Sequence, residues 1–173
     1  MESTIDAHEW LEREDEAARP GRKERLRWIV KHYPAAEAFF IPGGWLSKQL
    51  LEEAKYSFVY GQYVAAATLG FAFVERVLAS EFYAAGRDDL ERAGGRDLLD
   101  EALRCGWLTQ VDFDRFDRMR IIRNPLMHFR RPLSSDTVEA RAVFRDAHPD
   151  KIVESDAKKI LEGVFRVLEK IAV

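Results

Sequence analysis

Apolar residues recur at spacings of three and four along most of the chain, which is the spacing of an amphipathic helix. No segment shows the strict alternation of a half-buried strand between turns. We therefore predict an all-α fold, an up-and-down bundle of four to five core helices with extra N-terminal helices. The predicted core helices cover residues 45–60, 63–85, 96–105, about 110–123 and about 155–172.

Turn and capping residues predict how the remaining segments are divided. Residues 5–18 predict an acidic helix that ends at Arg19-Pro20-Gly21, and residues 22–33 predict a second, short basic helix. The apolar residues 39–45 predict a loop that packs onto the bundle. Thr109 and Asp136-Thr137 have the character of helix N-caps, and His148-Pro149-Asp150 predicts a break before the last helix. We expect residues 1–44 to form a helical extension of the bundle formed by residues 45–173, within one compact domain.

The helix predicted over residues 63–85 is apolar on almost every side, which is typical of a buried helix. One of its faces is formed by small residues and by Glu75, which are spaced three or four apart: Ala65, Thr68, Ala72, Glu75 and Ala79. A carboxylate on a buried helix usually has a partner. We predict Arg120 or Arg123 as that partner. The alternative is that Glu75 reaches solvent or pairs without a functional role.

Composition indicates a soluble globular domain, and we expect no cofactor. The chain has 173 residues, of which 47% are hydrophobic and 33% charged, and it has no run of 18 apolar residues that would predict a membrane span. Its N-terminus lacks the basic and apolar segments of a signal peptide. Cys105 is the single cysteine, so neither an intrachain disulfide nor a cysteine zinc site is expected. The four histidines lack zinc-site spacing, and we expect no metal and a cytoplasmic location.

Charge is distributed unevenly along a chain whose net charge is −3. Residues 1–20 contain seven acids and two bases, whereas residues 111–131 contain six arginines and three aspartates. A local positive patch can hold a phosphate chain even on an acidic protein. The alternative is a solvated helix face with internal Asp–Arg pairs.

The segment Arg123-Asn124-Pro125-Leu126-Met127-His128 combines a fixed cation, a carboxamide and a titratable imidazole. Arginine and histidine can together support phosphodiester chemistry without a metal. On an uninterrupted helix Arg123 and His128 would point about 140° apart. Pro125 predicts instead that the helix ends near Arg123 and that Asn124 caps a new turn, so that both side chains face one cleft. The alternative is a proline kink with a surface arginine and a satisfied histidine.

Residues 120–128 resemble the signature of the HEPN superfamily, in which an arginine, a polar residue, a few spacers and a histidine follow a helix. Gly106-Trp107-Leu108-Thr109 and the helix after it resemble the third helix of that family, and residues 63–85 resemble its second helix. The resemblance covers residues 45–172 and leaves residues 1–44 unmatched.

The resemblance implies a metal-independent endoribonuclease that leaves a 2′,3′-cyclic phosphate, acts as a toxin or defence factor, and works as a homodimer on RNA, with an antitoxin or other protein as a possible partner. It implies catalytic roles for Arg123, Asn124 and His128, with Glu75 and Arg120 as supporting residues. We expect Arg130 and Arg131 to bind RNA. One toxin subgroup has a tyrosine where this chain has Arg130, so the modification of that tyrosine is not expected here. The alternatives are a non-catalytic HEPN-like module that binds RNA or nucleotide, and a plain helical interaction domain.

Overall fold

The computed structural model describes residues 6–35 and 40–171, and within them the chain is all-helical, with no strand. The predicted all-α helical bundle is thus confirmed. A short 3-10 turn at Asp88–Leu90 links the third and fourth helices. In chain order the helices are α1 Ala7–His32, α2 Gly44–Val59, α3 Tyr63–Ala84, α4 Gly95–Arg104, α5 Gln110–Met127, α6 Val138–Phe144 and α7 Pro149–Lys170.

Helix α3 lies at the centre of the bundle and packs against α2, α4, α5 and α7. Its buried side chains include Phe71, Phe73, Val74 and Phe82. Among the described residues, α3 is the one helix whose length and composition would suffice to cross a membrane. Its central position in the core accounts for that apolar character, because a helix surrounded by other helices is apolar on most sides.

Helix α1 is continuous through Pro20, so the prediction of two helices separated at Arg19-Pro20-Gly21 was wrong. The two sides of the proline are joined by Arg22, which donates to Asp15 Oδ1 at 2.9 Å and to the Asp15 carbonyl at 3.1 Å. These bonds span two helical turns and offset the hydrogen bond that proline cannot donate.

The two halves of α1 differ in their surroundings. Ile29 is buried, and Trp28 contacts Phe58 of α2 and Phe165 of α7, so the second half belongs to the bundle. The first half is acidic and almost entirely exposed. Of the predicted packed loop at residues 39–45, residue 39 lies outside the described residues and Phe40 is exposed, while Ile41 packs against the core.

Helix α7 begins at Pro149, several residues before the predicted start near residue 155. The expected break at His148-Pro149-Asp150 is instead the helix N-terminus. The His148 ring accepts a hydrogen bond from the Asp150 backbone N–H at 3.3 Å, and Pro149 occupies the first turn, where no backbone donor is needed.

Asp112 joins the start of α5 to the end of α7. Its buried carboxylate accepts from the Thr109 hydroxyl at 2.8 Å, from Arg166 Nε at 3.2 Å and from Lys170 Nζ at 2.8 Å. Thr109 is the N-cap of α5, as predicted. Burial alone would raise the pKa of Asp112, but Lys170, Thr109 and Arg166 together lower it from the usual 3.8 to about 2.

Asp112→Asn should lower the free energy of unfolding by about 2 kcal/mol at neutral pH, which is the energy equivalent of this pKa shift. The folded-state pKa lies below the unfolded value. The stabilisation is therefore fully present above pH 3.8 and is lost as the pH falls through about 2. Urea unfolding of the parent and the variant across acidic pH measures the difference, which should shrink below about pH 4. Asp114→Asn, on the exposed side of the same turn, is the control. If the difference in unfolding free energy between the parent and Asp112→Asn does not change with pH, the pKa of Asp112 is not lowered as described.

Candidate active site

Helix α5 continues through Pro125 to Met127 and does not end near Arg123, so the predicted helix break was wrong. Pro125 cannot donate the helical bond to the Ile121 carbonyl, but the helical pattern resumes after it, because the His128 N–H donates to the Asn124 carbonyl at 2.9 Å. Tertiary contacts hold this turn as well. Leu126 packs against the core, and the Thr68 hydroxyl of α3 donates to Met127 Sδ at 3.2 Å.

Arg123 is held by two groups on the side of α5 that faces α3. Its Nη2 donates to Glu75 Oε2 at 3.1 Å, which confirms the predicted ion pair. Its guanidinium carbon lies 5.2 Å from the centre of the Phe71 ring, close enough for a cation–π contact. In one of the two orientations of the Asn124 amide, Arg123 Nη1 also donates to Asn124 Oδ1 at 3.3 Å. These contacts fix the plane and position of a side chain that is otherwise flexible.

Glu75 lies between Arg123 and the N-terminus of α4, where Gly95 approaches its carboxylate so closely that a Cβ atom would clash. Burial raises the pKa of Glu75, and this effect outweighs the opposing effects of Arg123 and of the hydrogen bond with the Gly95 backbone. Since the folded state binds the proton more tightly than the unfolded chain, this carboxylate lowers stability as the pH rises through its folded-state pKa. Shifted pKa values occur at functional sites and in structural ion pairs alike.

Arg120 and Asn124 form a second set of contacts beside this pair. Arg120 Nε donates to Asp117 Oδ1 at 2.7 Å, and Arg96 of α4 lies 3.3 Å from the other oxygen of Asp117. When the Asn124 amide is turned over, its nitrogen donates to the Arg120 carbonyl and its oxygen accepts from Arg120 Nη1, both at 3.2 Å. In either orientation Asn124 bonds to an arginine of the motif.

His128 lies at the C-terminal end of α5 and is exposed. Within the described part of the chain its ring makes no hydrogen bond or ion pair, so it is available to a ligand. It lines an open groove of about 620 Å³ together with Phe129, Arg130 and Leu133. Arg123 does not line this groove. On a continuous helix the two side chains point about 140° apart, so one chain alone does not bring them to the same groove.

The two arginines after His128 differ in their contacts. Arg130 is half-exposed and pairs with Asp136 at 3.1 Å. Arg131 is exposed, and no partner for its side chain is found among the described residues. Both residues follow His128 closely in the sequence, and Arg130 also lines the groove.

Three contributors to this site were missed at the sequence level: Phe71, Gly95 and Asp117. Phe71 precedes Glu75 by four residues and so shares its helix face, and Asp117 precedes Arg120 by three residues. Both spacings were available signals. Gly95 had no such signal, because its role depends on how closely the start of α4 approaches α3.

Neither a protein-family model, a curated protein nor a solved structure matches this chain. The resemblance to the HEPN superfamily therefore rests on the motif and on the order of the helices. Across residues 6–35 and 40–171, no three His, Cys, Asp or Glu side chains are grouped as a metal site would require.

Proposed function

We propose that this protein is a metal-independent endoribonuclease of HEPN type that acts as a toxin or defence factor. One observation supports the proposal above the others: Arg123 is fixed by Glu75 and Phe71, and His128, which is exposed and has no partner among the described residues, follows five residues later at the end of the same helix. A positioned cation stabilises the charge that develops on the phosphate, and a free imidazole transfers a proton; both effects catalyse RNA transesterification.

In the proposed reaction the 2′-oxygen of a ribose attacks the adjacent phosphorus, and the bond from phosphorus to the 5′-oxygen breaks. His128 accepts the proton of the 2′-hydroxyl or donates a proton to the leaving 5′-oxygen, and the other of these two proton transfers is made by water or by the His128 of a second copy. Arg123 binds the phosphate through parallel N–H donors and stabilises the negative charge that develops on it. The products are a 2′,3′-cyclic phosphate and a 5′-hydroxyl. DNA, which lacks the 2′-hydroxyl, should resist cleavage.

The proposed active form is a homodimer, because Arg123 and His128 of one chain lie on different sides of α5. A second copy could place its motif opposite the first, so that the arginine of one chain and the histidine of the other meet at one phosphate. Large apolar side chains on both sides of His128 favour such packing: Met127, Phe129 and Leu133 are 49%, 89% and 80% exposed. Exposed apolar clusters of this kind are typical of protein interfaces.

The decisive experiment incubates the purified protein with mixed cellular RNAs in EDTA and determines the ends of the products. We expect cleavage with 2′,3′-cyclic phosphate ends, no cleavage of DNA of the same sequence, and a specific activity that falls when the protein is diluted below its dimerisation constant. RNA that stays intact would contradict the proposal. If the protein binds RNA without cutting it, the non-catalytic binding module takes its place. Co-expression with a small protein encoded by a neighbouring gene tests the toxin role, because an antitoxin should suppress the cleavage.

A further inference from the structure

A second basic surface lies on another side of α5. A cleft of about 690 Å³ between α5, α6 and α7 is lined by six basic and three acidic side chains. The acidic ones are Asp156, Glu162 and Glu169. The basic ones are Arg115, Arg118, Arg141, Arg145, Lys159 and Arg166. A net positive cleft is notable on a chain whose net charge is −3.

The cations of this cleft fall into two groups. Arg141 is bonded to Asp156, and Arg166 is bonded to Asp112 and Glu169, so these two serve the fold. The other four have no acidic partner among the described residues: Arg115, Arg118, Arg145 and Lys159. Within the described residues, nine of the nineteen arginines of this protein pair with a carboxylate, so a single unpaired arginine is ordinary. Four unpaired cations that line one cleft create a local positive field, and this favours an anionic ligand.

The cleft is separate from the site of His128 and Arg123. Arg118 and Arg123 are five residues apart on one helix and therefore point about 140° apart. The arginines that were predicted to form one patch over residues 111–131 are thus divided between two surfaces. Arg120 pairs with Asp117 of α5 and Arg123 with Glu75 of α3, whereas Arg115 and Arg118 line the cleft.

We propose that this cleft binds consecutive phosphates of an RNA strand outside the cleavage site. Its cations are contributed by three helices, and those of α7 are spread along it: Lys159 and Arg166 are separated by about 10 Å of helix. A spread of this kind fits a phosphate chain better than a single phosphate. Ile122 and Phe165 provide an apolar floor against which the strand can lie. RNA as the source of the phosphates rests on the proposed function.

The test compares two double variants with the same change of charge. Arg145→Glu with Lys159→Glu alters the cleft at two exposed, unpaired positions. Lys48→Glu with Arg92→Glu alters two exposed cations elsewhere on the surface that have no partner within the described part of the chain. Binding is measured by fluorescence anisotropy with a labelled single-stranded RNA and with DNA of the same sequence, over a range of salt concentrations, and cleavage is measured on a long RNA and on a dinucleotide.

We expect the cleft variant to bind both strands more weakly, on the order of tenfold, and the slope of log affinity against log salt to fall by about 0.7 for each lost phosphate contact. The control variant should bind as the parent does. We expect a dinucleotide to occupy the cleavage site without contacting the cleft, so only cleavage of the long RNA should slow.

Equal losses in both variants would indicate a general field effect and would overturn the inference, as would parental binding by the cleft variant. The outcome is independent of the proposed activity. If the parent protein does not cut RNA, and RNA binding is weakened only in the cleft variant, this inference stands and the proposed ribonuclease activity is wrong. If the parent protein cuts RNA, and the cleft variant binds and cuts RNA as the parent does, the proposed ribonuclease activity stands and this inference is wrong.

Discussion

His128→Ala should cut RNA about 10²- to 10⁴-fold more slowly than the parent protein, the usual contribution of a positioned acid–base group. The His128 ring is exposed and makes no hydrogen bond or ion pair to other described residues, so its removal leaves no buried group without a partner. The fold should therefore be unchanged, and the loss should be confined to the chemical step. Initial rates on one RNA, measured in EDTA at matched protein concentration, give the ratio.

Two comparisons make this result specific to proton transfer. His8→Ala removes an exposed histidine on α1, far along the chain from the motif, and should leave the rate unchanged. RNA affinity should survive His128→Ala better than Arg123→Lys, because an ammonium cannot present the planar fork of the guanidinium to a phosphate. If His128→Ala cuts RNA at the parental rate, His128 does not transfer the proton.

The bounds of a helix could be predicted from apolar periodicity where capping or turn residues mark its ends. The predicted segments 45–60, 63–85 and 96–105 match α2, α3 and α4 to within a residue at each end, and Thr137 caps α6. Prolines were the common source of error. Pro20 and Pro125 lie within helices that long-range or two-turn contacts keep intact, and Pro149 starts a helix that it was expected to precede.

The candidate site was predictable where one residue was chemically out of place. Glu75 is a carboxylate on an apolar helix, which predicted that it has a partner, and its actual partner Arg123 is one of the two arginines predicted, Arg120 and Arg123. The relation of Arg123 to His128 was not predictable, because it depended on whether α5 breaks at Pro125. The basic cleft was not predictable either, because Arg115 and Arg118 come close to the cations of α6 and α7 only when the helices pack together.

Arg141→Ala should lower the free energy of unfolding by about 3–5 kcal/mol, the usual cost of leaving one partner of a buried ion pair alone. The Asp156 side chain is fully buried, and Arg141 binds it with both terminal nitrogens, at 2.9 and 2.6 Å. The pair joins α6, a helix of only seven residues, to the core helix α7. Whole domains are stable by about 5–15 kcal/mol, so the loss is a large fraction of the total.

Urea unfolding followed by circular dichroism measures this effect, and Arg145→Ala, an exposed and unpaired arginine one turn further along, is the matched control. The control should change stability by less than about 0.5 kcal/mol. Arg141→Met combined with Asp156→Leu should recover most of the loss, because apolar residues of similar volume can replace a buried pair without leaving a charge unsatisfied. This double variant keeps the prediction measurable even if Arg141→Ala does not fold. If Arg141→Ala is about as stable as the control variant Arg145→Ala, water or another cation reaches Asp156, and this ion pair does not hold α6 to α7.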